Sequence, residues 1–194
     1  MKAIVIDRYG TPDVLRLEEV DRPVPGEGQV LVRVRASSVN PYDWHFLTGL
    51  PKLFRPVFGL RRPKYRILGA DLAGQVEAVG PGVTRFVPGD EVYGLAAAGA
   101  FAEYAAVAEA ALAPRPAGLT FEQAAAVPLA GGTALQAIRD RGRVGPGQKV
   151  MVNGAAGGVG TFAVQIAKAD GAEVTGVCST ANTGLVQSIG AAHG

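Results

Sequence analysis

The stretch Lys149 to Ala169, KVMVNGAAGGVGTFAVQIAKA, sets four glycines between a short apolar run and a helical pattern. That order suits main-chain binding of a diphosphate. Gly154, Gly157, Gly158 and Gly160 let the backbone bend sharply and approach a ligand with no Cβ in the way. Ala155, Ala156 and Val159 complete the predicted cradle, and free N–H groups at the start of the following helix would hold the anion. The spacing is Gly-x-x-Gly-x-x-Gly rather than the strict Gly-x-Gly-x-x-Gly. No Gly-Lys-Ser/Thr follows, so a P-loop is excluded.

The elements that must position this turn are legible around it. A strand ending at Asn153 leads in. A helix leads out, with Val159, Phe162, Ala163, Ile166 and Ala167 at i, i+3, i+4, i+7 and i+8 as its apolar face. Asp170-Gly171 stops that helix, and Glu173 to Cys178 reads as a second strand, which completes a strand–helix–strand crossover. The end of the second strand is where an acidic residue grips the ribose 2′-OH of NAD. Here Cys178, Ser179 and Thr180 occupy it, and no Asp, Glu, Lys or Arg occurs from Val174 to Gly194. The feature that would repel a 2′-phosphate is missing, which leans the reading toward NADPH over NADH. Ser179, Thr180 and Thr183 could equally cap the next helix.

The chain has 194 residues, 48% of them hydrophobic, enough for a packed core of one or two domains. A net charge of +2 gives no global field for nucleic acid, and one cysteine cannot form an internal disulfide. The opening MKAIVIDRYG is too short in apolar residues for a signal peptide, and no apolar span reaches membrane length. The expectation is a cytoplasmic protein with no membrane or nucleic-acid partner. Before about Ala113, short strands broken by Pro and Gly are predicted at Lys2 to Asp7, Val14 to Glu19, Gln29 to Ser38, Gly74 to Val79, Glu91 to Gly94 and Phe101 to Ala108. Regular short strands of this kind suggest a barrel. The alanines between Leu95 and Ala113 would favour helix on propensity alone. Thr120 is an N-cap candidate, and FEQAAAVPLAGGTALQAIRD reads as two short helices divided near Pro128.

In order, NPYDWH, ILGADLAG, VEAVGPGVTRFVPGDEVYG, FAEY and VNGAAGGVGTFAVQIAKADGA resemble the zinc-independent, zeta-crystallin-like quinone oxidoreductase branch of the medium-chain dehydrogenase/reductase family. The resemblance spans essentially the whole chain and supplies the strand expected at Phe101 to Ala108. It implies a GroES-like β-barrel catalytic domain over residues 1–120 and an incomplete doubly wound Rossmann domain over residues 121–194. It also implies hydride transfer from NADPH to a quinone or activated enone. Zinc members carry a Cys and a Gly-His-Glu motif where this chain reads Ser37-Ser38-Val39-Asn40 and Gly69-Ala70-Asp71. Cys178, His45 and His193 are too scattered for a tetrahedral site, so no metal is expected.

Without a Lewis acid, the protein must orient an already electrophilic acceptor. By resemblance Asn40 falls near nicotinamide and substrate, in a loop after a barrel strand, and Tyr42 or His45 could donate a proton or hydrogen-bond a carbonyl. Asn40 before Pro41 could instead form only a turn, His45 could be a solvated loop residue, Trp44 reads as core, and Asp43 as a cap. Thr133 in AGGTA resembles a position close to the coenzyme, or is a helix hydroxyl bonded to its own backbone. Lys52 to Arg66 carries six cations and no acid, with Phe54, Phe58 and Tyr65 interleaved, which suits a solvated loop, a 2′-phosphate, RNA or a lipid headgroup. Much of the nucleotide-binding domain that the resemblance implies lies beyond Gly194, which predicts impaired catalysis and an exposed sheet edge favouring a homodimer. The alternative reading is a non-catalytic nucleotide- or RNA-binding remnant.

Overall fold

A computed structural model describes residues 1–193, apart from the side chain of Phe54. The chain forms two compact units, Met1–Pro128 and Leu129–Gly194.

In the first unit, β1 (Lys2–Val5) pairs with β2 (Arg16–Glu19) as an antiparallel hairpin. Strands β3 (Gln29–Ser37), β4 (Asp71–Val79), β5 (Glu91–Leu95), β6 (Tyr104–Ala108) and β7 (Leu112–Pro114) make an antiparallel sheet in the order β6-β3-β4-β5-β7. Period-2 patterning places its core. Val30 and Val32 are fully buried and pack with Leu72, Val76 and Val92, while Arg33 and Arg35 face solvent. Register shifts at Leu31/Val32 and Val34/Ala36 bend β3. The expected barrel is an open sheet: the β1–β2 hairpin meets the rest through the isolated bridges Ala3↔Ala102 and Val5↔Ile67, and among the described residues no continuous ladder closes the circuit.

Asn40 to His45 is not the loop the sequence suggested. It opens helix α1 (Pro41–Thr48), with Asn40 as N-cap, Pro41 in the first turn and Gly49 at φ 62° closing it. Trp44, expected in the core, is 47% exposed, because Phe46 and Leu47 occupy the buried face of this helix. A short turn at Lys52–Phe54 runs into α2 (Arg55–Phe58). Helix α3 (Phe121–Ala125) packs on the sheet through Ala124 and Ala125 against Ala73. Its cap is reciprocal: Gln123 N–H donates to Thr120 Oγ1 at 3.2 Å, and Thr120 N–H donates to Gln123 Oε1 at 2.9 Å. This helix therefore lies in the first compact unit, where the expected division after residue 120 would have assigned it to the second.

Helix α4 (Pro128–Leu135), all but its first residue in the second unit, continues into a widened turn at Gln136–Arg141. Strand β8 (Lys149–Asn153), helix α5 (Gly158–Ala169) and strand β9 (Glu173–Val177) form the crossover, with β8 and β9 parallel and Val150 opposite Val174. Helix α6 (Thr183–Ser188) follows. His193 makes an isolated parallel bridge to Thr175 on the edge of β9 away from β8, where Gly176 N–H donates to His193 O at 2.8 Å. The buried face of α5 is Gly160, Ala163, Val164 and Ala167, whereas Val159 is 41% exposed. Of the face expected from the sequence, Ala163 and Ala167 are buried and Phe162 and Ile166 pack against the core; only Val159 falls outside it, and Gly160 and Val164 complete the face. Among the described residues no helix is long and apolar enough to cross a membrane.

Candidate coenzyme cradle and polar cluster

The turn after β8 divides its glycines by task. Gly154 sits at φ 74°, a conformation that side chains disfavour, and makes the tight bend. A Cβ built on Gly160 would lie 2.8 Å from Ala155 Cα, 2.9 Å from Ala155 C and closer still to the Gly154 carbonyl oxygen, so Gly160 permits the helix to press on the turn. Gly158 is exposed and a Cβ there would meet nothing within 4 Å. Three roles thus fall on three glycines: bend, packing and open approach.

The amides also divide. Those of Gly154 and Ala155 donate to Val177 O at 2.9 and 3.0 Å, and that of Gly157 donates to Gly154 O at 2.9 Å. These three do not face a ligand, which narrows the expected cradle. Thr161 N–H is the first to reach the turn behind it, at Gly157 O and 2.9 Å. Gly158, Val159 and Gly160 therefore hold the first amides of α5, which have no acceptor four residues back within the helix, and this end carries the positive pole of its dipole. An exposed helix start with no Cβ at Gly157 and Gly158 fits a diphosphate. Ala155, fully buried, and Ala156, half-buried, support the turn from below.

At the end of β9, Cys178 packs against the core while Ser179 and Thr180 are exposed. Ser179 Oγ accepts from Asn182 Nδ2 at 3.0 Å, and Thr183 Oγ1 donates to Thr180 O at 3.0 Å, so these groups brace the start of α6 and leave the Thr180 hydroxyl outward. Thr133 Oγ1 donates to Leu129 O at 2.6 Å, the backbone bond expected of a helical threonine, although the residue is exposed.

The polar cluster of the first unit is built where β3 hands over to α1. Asp71, fully buried in β4, accepts from Ser38 Oγ at 2.6 Å and Asn40 Nδ2 at 2.9 Å through Oδ2. Asn40 Nδ2 also donates to Ser38 Oγ at 2.9 Å, so both of its amide hydrogens are committed within the chain. Asp43, buried on α1, accepts the Asn40 N–H at 2.8 Å and the Gly69 N–H at 3.1 Å. Burial pushes its carboxyl above the ordinary value despite those donors. Asp43 caps the helix, as the sequence suggested. Tyr42 stacks near Phe46 at 4.7 Å and donates its hydroxyl to Ala97 O at 3.1 Å; burial first, then Tyr65 and Asp43, raise its pKa. His45 is exposed and its Nδ1–H donates to Leu50 O at 2.8 Å, which leaves Nε2 as an uncommitted ring nitrogen. Sequence reasoning overlooked Ser38 and Asp71 as partners of Asn40. The signal was an acid inside the apolar run ILGADLAG, a position that must be paired if buried.

An antiparallel GroES-type sheet followed by a strand, glycine turn, helix and parallel strand is the two-part plan of the dehydrogenase/reductase proteins. Comparison with known proteins agrees. Residues 26–117 match the alcohol dehydrogenase GroES-like domain. The quinone oxidoreductase of Pseudomonas aeruginosa is 41% identical over 180 residues, covering 92% of this chain and 53% of that protein. The Escherichia coli quinone oxidoreductase complexed with NADPH superposes with a TM-score of 0.86 at 31% identity, covering 100% of this chain and 57% of that one. The CurK enoyl reductase superposes at 0.91 with 30% identity, covering 99% and 58%. Over almost its whole length the chain is similar to quinone oxidoreductases of the medium-chain dehydrogenase/reductase plan, and its residues 26–117 match their GroES-like domain. It spans somewhat over half the length of the curated relatives it matches.

Proposed function

We propose that this chain serves an oxidoreductase that uses NADPH to reduce a quinone or activated enone without zinc. The observation that carries the reading is the exposed, glycine-lined start of α5, whose first amides are free of helical acceptors. The names of the relatives, quinone oxidoreductases and an enoyl reductase, supply the acceptor class. The coenzyme, when bound, supplies the hydride. The amides of Gly158, Val159 and Gly160 hold its diphosphate, Thr180 and Ser179 present hydroxyls to the ribose phosphate, and Cys178 and Thr133 shape the surface beside it.

On the substrate side, Asn40 acts as a positioning residue, since its N–H groups are bound to Ser38 and Asp71. Tyr42 fixes the helix through Ala97. His45 holds a proton at Nδ1 against Leu50 O and can exchange one at Nε2. The absence of zinc chemistry is supported by the donor set: Ser38 and Asp71, which stand in the stretches where zinc relatives carry ligands, bond to each other. A second reading, a nucleotide-binding module without turnover, draws on the same commitment of the Asn40 and Tyr42 protons. Calorimetric titration with NADPH and NADH tests the proposal, with NADPH expected to bind more tightly. A folded chain indifferent to both refutes it. Oxidation of NADPH by a soluble quinone then separates the two readings.

A further inference from the structure

We infer that the excursion from Leu50 to Lys64 is a docking surface for anionic phospholipid membranes. The inference stands without the reductase reading. It concerns peripheral contact, which the lack of a spanning helix does not address.

Aliphatic side chains are displayed where a soluble loop would carry polar ones. Leu53 is 83% exposed, Leu60 70%, Val57 59% and Leu50 47%. Leu53 and Val57 lie one helical turn apart in the run from Lys52 to Phe58. Beside them Lys52, Arg61 and Arg62 are exposed and form no ion pair among the described residues. Arg61 and Arg62 line a concavity of about 620 Å³ together with Arg8 and Arg66. Asp7 lines it too and, with Glu18, pairs with Arg66, whereas Arg8, Arg61 and Arg62 form no ion pair among the described residues. Aliphatic tips next to unpaired cations are the chemistry that enters a headgroup layer and binds its phosphates.

The described aromatics favour lipid over nucleic acid. Binding to single-stranded RNA needs exposed rings on which bases stack. Among the described aromatics of the segment, Phe58 and Tyr65 are instead half-buried and pack toward Phe46, with ring centroids 4.8 and 5.5 Å from its own, while the Phe54 side chain lies outside the described residues. The segment is also held rather than loose. Tyr9 OH donates to the Gly59 carbonyl and lies 3.3 Å from that of Arg62, Gly59 turns at φ 119°, and Arg55 lies over the Tyr9 ring at 4.9 Å. The display of leucines and arginines is therefore a formed surface.

The test is co-flotation of the purified chain with vesicles of phosphatidylcholine alone or mixed with phosphatidylglycerol. Recovery with the anionic vesicles only, diminishing as salt rises, is expected. R61Q/R62Q should weaken partitioning about 30-fold, from about a five-fold loss for each cation at the surface. L53S/L60S should weaken it by at least about ten-fold at any salt concentration. Melting curves establish that each variant folds, as these side chains are exposed. A folded chain that ignores anionic vesicles overturns the inference. So does salt-sensitive flotation unaffected by L53S/L60S with equally tight binding of an oligoribonucleotide, because that pattern marks a general polyanion site.

Discussion

Gly158 and Gly160 are two residues apart and their alanine variants should fail in opposite ways. In Gly160→Ala the new Cβ would lie 2.8 and 2.9 Å from two backbone atoms of Ala155, and nearer still to the Gly154 carbonyl. None of these is a side-chain tip that can rotate aside, so α5 must withdraw from the turn. Overpacking of this kind costs about 1–3 kcal/mol, and the better helix propensity of alanine returns less than about 1. For a unit of this size a net loss of 1–2 kcal/mol lowers the melting temperature by roughly 5–15 °C. In Gly158→Ala the Cβ meets nothing within 4 Å and the backbone φ is not positive, so stability should stay level or rise slightly. That methyl stands at the open start of α5, where it would push a diphosphate off charge-assisted amide bonds worth about 1.5–3 kcal/mol. Coenzyme affinity should fall roughly 10- to 150-fold. Circular-dichroism melts and coenzyme titrations on both variants provide the four values. If Gly158→Ala melts early and binds normally while Gly160→Ala does the reverse, the division of labour among these glycines is wrong.

The helix face is tested by Val164→Ala, which removes a fully buried side chain and should cost roughly 2 kcal/mol, against Val159→Ala, which should cost almost nothing. Equal urea midpoints for the two would return Val159 to the buried face. Asn40→Ala removes two hydrogen bonds and leaves the buried Asp71 carboxylate short of a donor, for a loss of about 1–3 kcal/mol in chemical denaturation. A neutral result would mean that the Ser38–Asn40–Asp71 cluster is not a stabilising network. Arg16 first and then Arg66 lower the pKa of Asp7, and Arg66 first and then Arg16 lower that of Glu18. Their stabilisation is therefore complete above the ordinary values of 3.8 and 4.5 and is lost as the pH falls below them. D7N/E18Q should flatten the acid limb of the stability curve, and an unchanged limb would remove these pairs from the account.

What the sequence made legible was local. The crossover from Lys149 to Val177 could be read because glycine, periodicity and a stop signal agree within one short stretch, and the Thr120 cap because its partners lie three residues away. The first helix was hidden by Asn40-Pro41, which writes a turn and an N-cap with the same two letters. Only the depth of Phe46 and Leu47 distinguishes them, and depth belongs to tertiary structure. Open sheet and closed barrel share the same short alternating strands, so closure depends on ladders between residues distant in the chain. The place of Gly160 on the buried face of α5 escaped periodicity because glycine contributes no hydropathy although it fixes the closest contact.

The polar cluster was illegible for the complementary reason: its members are distant in sequence and each has an innocuous local reading. A buried carboxylate in a strand is costly unless its oxygens meet donors. Asp71 meets them through Ser38 and Asn40, the two residues flanking the exposed Val39 at the exit of β3. Asp43 then takes the Asn40 backbone amide and the amide of Gly69, two residues before Asp71. One acid in β4 and one acid in α1 thus grip the same short link from both sides. Pairing of this kind fixes the orientation of α1, and with it the placement of Tyr42 and His45, more tightly than the small residues of that link could do by packing. Within the cluster, Asn40 is held by both of its amide hydrogens, one to Ser38 and one to Asp71, and so serves the link rather than presenting a donor outward.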